Sequence, residues 1–178
     1  MLHFFKRFSV LPVLVVFALL GACSLFAPEP PAPVKPTVVP DHDMIAAIRT
    51  AGDREKSVIS VNPLRDPGVT LLQDNAQNDE QAGHYADAAA KLDQAIKLSP
   101  DSPDLLQDRA EIAVRLKDYA TAERLAHQSW SIGPKLGPLC ARNWQTIVEV
   151  RLQAGDAPGA DTARKWVQQC HKAGIERY

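Results

Sequence analysis

The chain has 178 residues, with 20 Lys and Arg against 21 Asp and Glu, a formal net charge of −1, and 46% hydrophobic residues. This length suits one domain plus an appended segment. The charge balance leaves no basic surplus for nucleic acid.

The first element in chain order is apolar. His3, Lys6 and Arg7 precede an apolar run from Val10 to Leu20, and the small pair Gly21-Ala22 leads into Cys23. This is the three-part layout of a secretory signal, too short to cross a bilayer comfortably. Leu20-Gly21-Ala22-Cys23 resembles the lipobox of bacterial lipoproteins. The resemblance implies cleavage after residue 22 and a diacylglycerol on the Cys23 thiol. It also implies an outer-membrane, periplasm-facing address, because Ser24 stands where an inner-membrane retention signal would carry Asp. Cleavage removes two of the 20 cationic residues and no acidic one, so 18 stand against 21 in the mature chain, a formal −3. No second apolar run of membrane-spanning length follows, so acyl chains on Cys23 are the expected membrane contact.

Residues 23–40 form the next segment, in which Pro28, Pro30, Pro31, Pro33, Pro36 and Pro40 remove amide donors and fix φ. A disordered, semi-rigid spacer rising about 3.1 Å per residue is expected. Residues 41–68 read as a short helix followed by extended chain. Met44, Ile45 and Ile48 give Asp41–Thr50 one apolar face with Asp41 or Asp43 as cap, and Pro63 and Pro67 favour extension over Ser57–Val69.

From residue 69 onward the chain repeats. Tyr85 and Tyr119, Ala88 and Ala122, and Pro100 and Pro134 each lie 34 residues apart. Gly83-His84-Tyr85-Ala86-Asp87-Ala88 is echoed by Lys117-Asp118-Tyr119-Ala120-Thr121-Ala122. In this pattern the chain resembles tetratricopeptide-repeat proteins. The resemblance implies an all-α stack of about three helix hairpins, an α-solenoid, with units near 69–102, 103–136 and 139–176. Small residues let paired helices approach closely: Leu72, Ala76, Ala88, Leu92 and Ala95 in the first unit, Leu106, Ala110, Ala122, Ala126 and Ser129 in the second. Tyr85 and Tyr119 are expected to wedge between hairpins.

The third unit is displaced by four residues, with Ala160 lying 38 after Ala122 and Gly137-Pro138 lengthening the connection. Its first helix is expected over Leu139–Ala154 with Trp144 inward, while Arg164 replaces an apolar residue and the turn tyrosine is missing. Cys140 begins its first helix and Cys170 ends its second. Those ends are neighbours in an antiparallel hairpin, so a Cys140–Cys170 disulfide is expected in an oxidising compartment, the alternative being two buried thiols. No ligand pair at useful spacing joins Cys170-His171, so no metal site is expected.

Catalytic patterns do not emerge. His42, His84, His127 and His171 are scattered without a His-Glu-x-x-His motif, and neither a Gly-x-Ser-x-Gly elbow nor a phosphate loop is present, so neither an enzyme nor a cofactor is expected. Function then falls to the concave face that stacked first helices create. Carrying over the family's groove positions gives Gln73, Gln77 and Glu80, then Gln107, Glu111 and Arg115, then Gln145, Glu149 and Gln153. This face is amide-rich and mildly acidic, and Glu111 and Glu149 read as solvated groove residues, not a general acid and base. The resemblance implies an adaptor or scaffold in envelope assembly that binds a partner protein or peptide. Similar lipoproteins serve pilus secretin biogenesis, outer-membrane protein insertion or the recruitment of peptidoglycan synthases and hydrolases. The alternative is a self-associating structural lipoprotein without a discrete ligand, a homodimer through the last hairpin. An apolar edge near Trp166 and Val167 is expected, with a partner, a second copy or the Asp41–Thr50 helix as its cover.

Overall fold

Aspartate caps open four of the seven described helices, and the other three begin without a side-chain cap. The structure, a computed structural model, describes residues 42–55 and 66–171. The expected signal segment 1–22, the lipidation position Cys23, the proline spacer and Asp41 lie outside the described residues, as do most of the proposed extended stretch and the end of the third unit.

Seven α-helices and no strand occur among the described residues: α1 (Met44–Arg54), α2 (Pro67–Gln81), α3 (Tyr85–Leu98), α4 (Pro103–Arg115), α5 (Tyr119–Ile132), α6 (Pro138–Gln153) and α7 (Ala157–Gln169). Asp43 caps α1 by accepting from the amides of Ile45 and Ala46, and Asp118 and Asp156 cap α5 and α7 through Thr121 and Gly159. Each carboxylate satisfies orphan donors at a positive helix end. Extended backbone up to Val69 is not found. Asp66 accepts from the Gly68 amide and Pro67 is the first residue of α2, because a proline there lacks only an amide that the helix leaves unpaired anyway.

Helices pair as α2–α3, α4–α5 and α6–α7, and the hairpins stack through α3–α4 and α5–α6. The first helix of each hairpin ends on one residue with positive φ, at Gly83 (80°), Lys117 (61°) and Gly155 (76°). The next amide reaches back five residues, from His84 to Asp79 O, Asp118 to Ala113 O and Asp156 to Arg151 O. This left-handed cap stops one helix and aims the chain into the next. Lys117, which is exposed, stands in a conformation that glycine adopts freely.

The small-residue seams are in place. Ala88, Ala95, Ala110, Ala122 and Ala126 are all fully buried, Ala76, Leu92 and Leu106 nearly so, and Ser129 is buried with them. Leu72, Tyr85 and Tyr119 pack half-buried against the cores. In the third hairpin Trp144 is buried and stacks on Trp166, with ring centroids 5.1 Å apart and Trp130 edge-on to both. Arg164 stays at the surface and pairs with Asp161. Cys140 and Cys170 are buried and joined, with Sγ atoms at 2.00 Å and Cα atoms 5.6 Å apart. The amide of Gly137 donates to Cys170 O at 2.8 Å, which ties the lengthened connection to the same end of the hairpin.

Candidate functional site: a concave face shared with its own helix

The concave face is lined by α2, α4 and α6. Helix α1, which precedes the repeats in the chain, lies across it against α4 and α6. The sequence Met-Ile-Ala-Ala-Ile-Arg-Thr-Ala-Gly explains why. Ile45, Ile48 and Ala51 with Gly52 form one stripe at helical spacing, and all four are buried. Ile45 and Ile48 join Ala113 and Val114 of α4 and Val150 of α6 in one cluster. Gly52 marks the closest approach: a Cβ placed there would stand 2.8 Å from Cγ of Arg142 and 3.3 Å from the carbonyl of Pro138. The helix expected over Asp41–Thr50 is found as α1, Met44–Arg54, and it covers the groove and not the edge near Trp166, where Trp166 remains 37% exposed beside Trp144.

Placed over the groove, α1 changes the state of its polar residues. Gln107 and Glu111 are 0% exposed and Glu149 4%. They are not the solvated residues expected from their polarity. A buried carboxylate must be paired and hydrogen-bonded to remain charged, and Glu111 is. It accepts from Nε of Arg49 on α1 at 2.9 Å, from Nε of Arg142 on α6 at 2.8 Å and from Nε2 of Gln107 at 3.0 Å. Gln107 Nε2 also donates to Oγ1 of Thr146 at 2.9 Å. Glu149 is held separately, by His42 Nε2 at 3.0 Å and Nε2 of Gln145 at 2.7 Å. The two carboxylates thus serve two different networks, which suits anchoring and not shared proton transfer.

Arg49 spans further. Its Nη2 donates to both oxygens of Glu80 on α2 at 2.7 and 2.8 Å, so one guanidinium joins α1, α2 and α4. Burial works against its charge, yet Glu80 and Glu111 together raise its pKa. Arg142 behaves alike: desolvation is the largest influence and opposes the charge, and Glu111 and Asp108 outweigh it, so the guanidinium is held firmly protonated. Gln73 donates to Asp108 at 2.7 Å, extending the network to α2. Arg115 lies 3.6 Å from Asp43 and 3.8 Å from Glu80, and its guanidinium carbon is 5.9 Å from the centre of the Tyr85 ring. Gln77 and Gln153 are exposed.

What α1 leaves open is a cleft of about 950 Å³ between α1, α2 and α4, with Ala76, Leu92 and Ile112 among its lining and Asp74, Gln77, Asp104 and Asp108 on its walls. Arg49 and Asp53 border it from α1 and Arg142 from α6. Its size falls in the range of ligand sites. Among the described residues no cluster of candidate metal ligands exists, and no helix is long and apolar enough to cross a membrane.

These features are those of a repeat superhelix, and known proteins agree. The description "Tetratricopeptide repeat" matches residues 80–142. The solved globular C-terminal domain of LpoP from P. aeruginosa is 30% identical, with a TM-score of 0.56, over 59% of this chain and 99% of that one. The chain belongs to this tetratricopeptide-repeat family. No curated protein matches.

As a tetratricopeptide-repeat domain, the chain uses its expected groove positions unevenly. The sequence placed all nine on one face, and the structure brings Gln73, Glu80, Gln107, Glu111 and Arg115 into the network around Arg49 and Arg142, with Gln145 and Glu149 grouped around His42. Reasoning from the repeat missed His42, Arg49, Asp108 and Arg142. For Arg49 a signal existed, since a lone arginine follows directly on Ile48 in an otherwise apolar face; Asp108 and Arg142 carried none, Asp108 lying between two of the family's contact positions and Arg142 three residues before the first of its unit.

Proposed function

We propose that this tetratricopeptide-repeat chain is a lipid-anchored adaptor of the periplasm, held at the outer membrane through Cys23, that docks an envelope protein on its concave face. The open cleft between α1, α2 and α4 is the observation that carries this reading. It offers a partner amide and carboxylate walls above a floor whose Ala76, Leu92 and Ile112 are themselves almost fully buried, a mainly polar lining that suits main-chain and basic groups of a peptide. The repeat fold supports protein binding over catalysis, and the lipobox supports the address.

The test places photo-crosslinking residues at Asp74 and Gln77, both exposed on the cleft, in living cells. Specific capture of one envelope protein is expected, and capture from the convex face alone would defeat the reading. Cys23→Ser should move the protein from the membrane to the soluble periplasmic fraction; retention on membranes would defeat the anchor. The self-associating alternative draws on exposed Ile132, Leu136 and Trp166, and predicts a concentration-dependent dimer that Trp166→Glu dissolves.

A further inference from the structure

The groove already has an occupant whose chemistry can be read. Helix α1 has 11 residues, a length at which an isolated helix is marginal in water and owes its order to the surface it packs on. Its contacts are those of a helix laid in a groove: apolar anchors one turn apart and a charged residue beside them. Ile45 and Ile48 are the anchors. Arg49 enters between Glu80 and Glu111. On the receiving side, Glu111 is fully buried with Arg49 of α1 as one of its two arginine partners, and the cleft beside Arg49 stays open.

We infer that α1 is a built-in occupant of a helix-binding groove, and that the partner presents an amphipathic helix with two apolar residues three apart followed directly by arginine, which takes the place of α1. This rests on the adaptor reading above and names the chemistry of its ligand. The cleft gives the incoming helix a foothold on α2 and α4; the Glu80–Glu111 pair then exchanges one arginine for another. Charge is conserved in the exchange, so no carboxylate is left buried without a cation. Affinity is set by the fraction of chains in which α1 is undocked.

The test uses the full chain in mild detergent and a labelled synthetic peptide of residues 42–55. In the variant Ile45→Asp/Ile48→Asp, α1 loses its anchors while the hairpins keep theirs, which helical circular dichroism verifies. The peptide should bind this variant roughly tenfold or more tightly than the wild-type chain, whose groove is self-occupied, and an Arg49→Glu peptide should fail. Equal binding to both proteins, no binding to the folded variant, or undiminished binding of the Arg49→Glu peptide would each overturn the inference. Should the variant not fold, hydrogen exchange on the wild-type chain decides: α1 amides opening well before those of α4 and α6 support it, and equal protection overturns it. A wild-type dimer that the Ile45→Asp/Ile48→Asp variant abolishes would assign the groove to a second copy's α1 and overturn the partner. Crosslinking at Gln77 separates the two readings. Capture competed by the peptide supports both, uncompeted capture leaves the adaptor and removes the helix, and no capture removes both.

Discussion

Glu111→Ala tests the central junction of the molecule. The wild-type carboxylate is 1% exposed as a side chain and accepts from two guanidinium groups and one amide. Breaking a buried ion pair by removing one partner costs about 3–5 kcal/mol, mostly as the penalty for the charge left behind. Here the stranded groups keep second partners: Arg142 retains Asp108 at 2.8 Å, Arg49 retains both oxygens of Glu80, and Gln107 retains Thr146. The loss should therefore lie near the lower end, about 3 kcal/mol. With a urea slope of about 2 kcal/mol/M for a domain of this size, the unfolding midpoint should fall by roughly 1.5 M. Glu111→Gln keeps the shape and one acceptor but not the charge, and should cost about half as much, near the value of a hydrogen bond to a charged group, about 1.5–3 kcal/mol. Glu111→Leu combined with Arg142→Met removes both charges and should recover most of the loss, because an apolar pair of similar volume carries no desolvation penalty. The assay is equilibrium urea unfolding followed by circular dichroism and by tryptophan fluorescence, with coincident transitions required. A Glu111→Ala protein within about 0.5 kcal/mol of wild type, the range of ordinary surface substitutions, would refute the buried junction and the docking of α1 with it.

Three further outcomes follow from local geometry. The Cys140–Cys170 bridge closes a loop with a sequence separation of 30, so Cys140→Ser/Cys170→Ser, or reduction, should destabilise the chain by about 3–4 kcal/mol in the chain-entropy model; a non-reducing mass with two free thiols would contradict the pairing. Lys117→Gly should stabilise by about 1 kcal/mol in thermal unfolding, since lysine at a φ of 61° carries the steric cost of the left-handed region, whereas a lower melting point would mean that contacts of the lysine stem outweigh it. The cap carboxylates give a pH dependence. The Ala46 amide lowers the pKa of Asp43 from its ordinary 3.8, Thr121 does the same for Asp118, and Arg151 with the Gly159 amide for Asp156. A depressed folded-state pKa stabilises fully above the unfolded value and is lost as pH falls through the folded one. Stability should thus decline below about pH 4, and the Asn variants of the three caps should show a shallower acid limb in urea midpoints measured from pH 6 to 2.5. An unchanged limb would show that other carboxylates set it.

The hairpins were legible because small residues recur where helices must touch. Ala88 and Ala122 stand 34 apart and both are fully buried. The start of α2 was harder, since Pro67 signals extension when read alone and a first helical residue when read with Asp66 before it. Burial of the groove was not legible. In a repeat, the concave positions are polar whether they face water or a charged partner, and nothing within the unit containing Glu111 reveals that Arg49 will reach it from 62 residues away. Likewise His42 and Glu149 meet across a separation of 107. Short-range pattern encodes the hairpin; the docking of α1 is written only in the match between two distant surfaces.

That long reach alters how the molecule assembles and comes apart. A bare stack of hairpins has mainly neighbour contacts, forms quickly from any nucleus and frays from either end. Helix α1 breaks this locality, because it precedes the first hairpin in the chain and packs on the first helix of the last. Its docking must await both α4 and α6, so it belongs to the late, native side of the folding barrier. While it is seated, the last hairpin cannot fray alone: α1 acts as a latch whose release comes first, and only then can the solenoid melt by degrees.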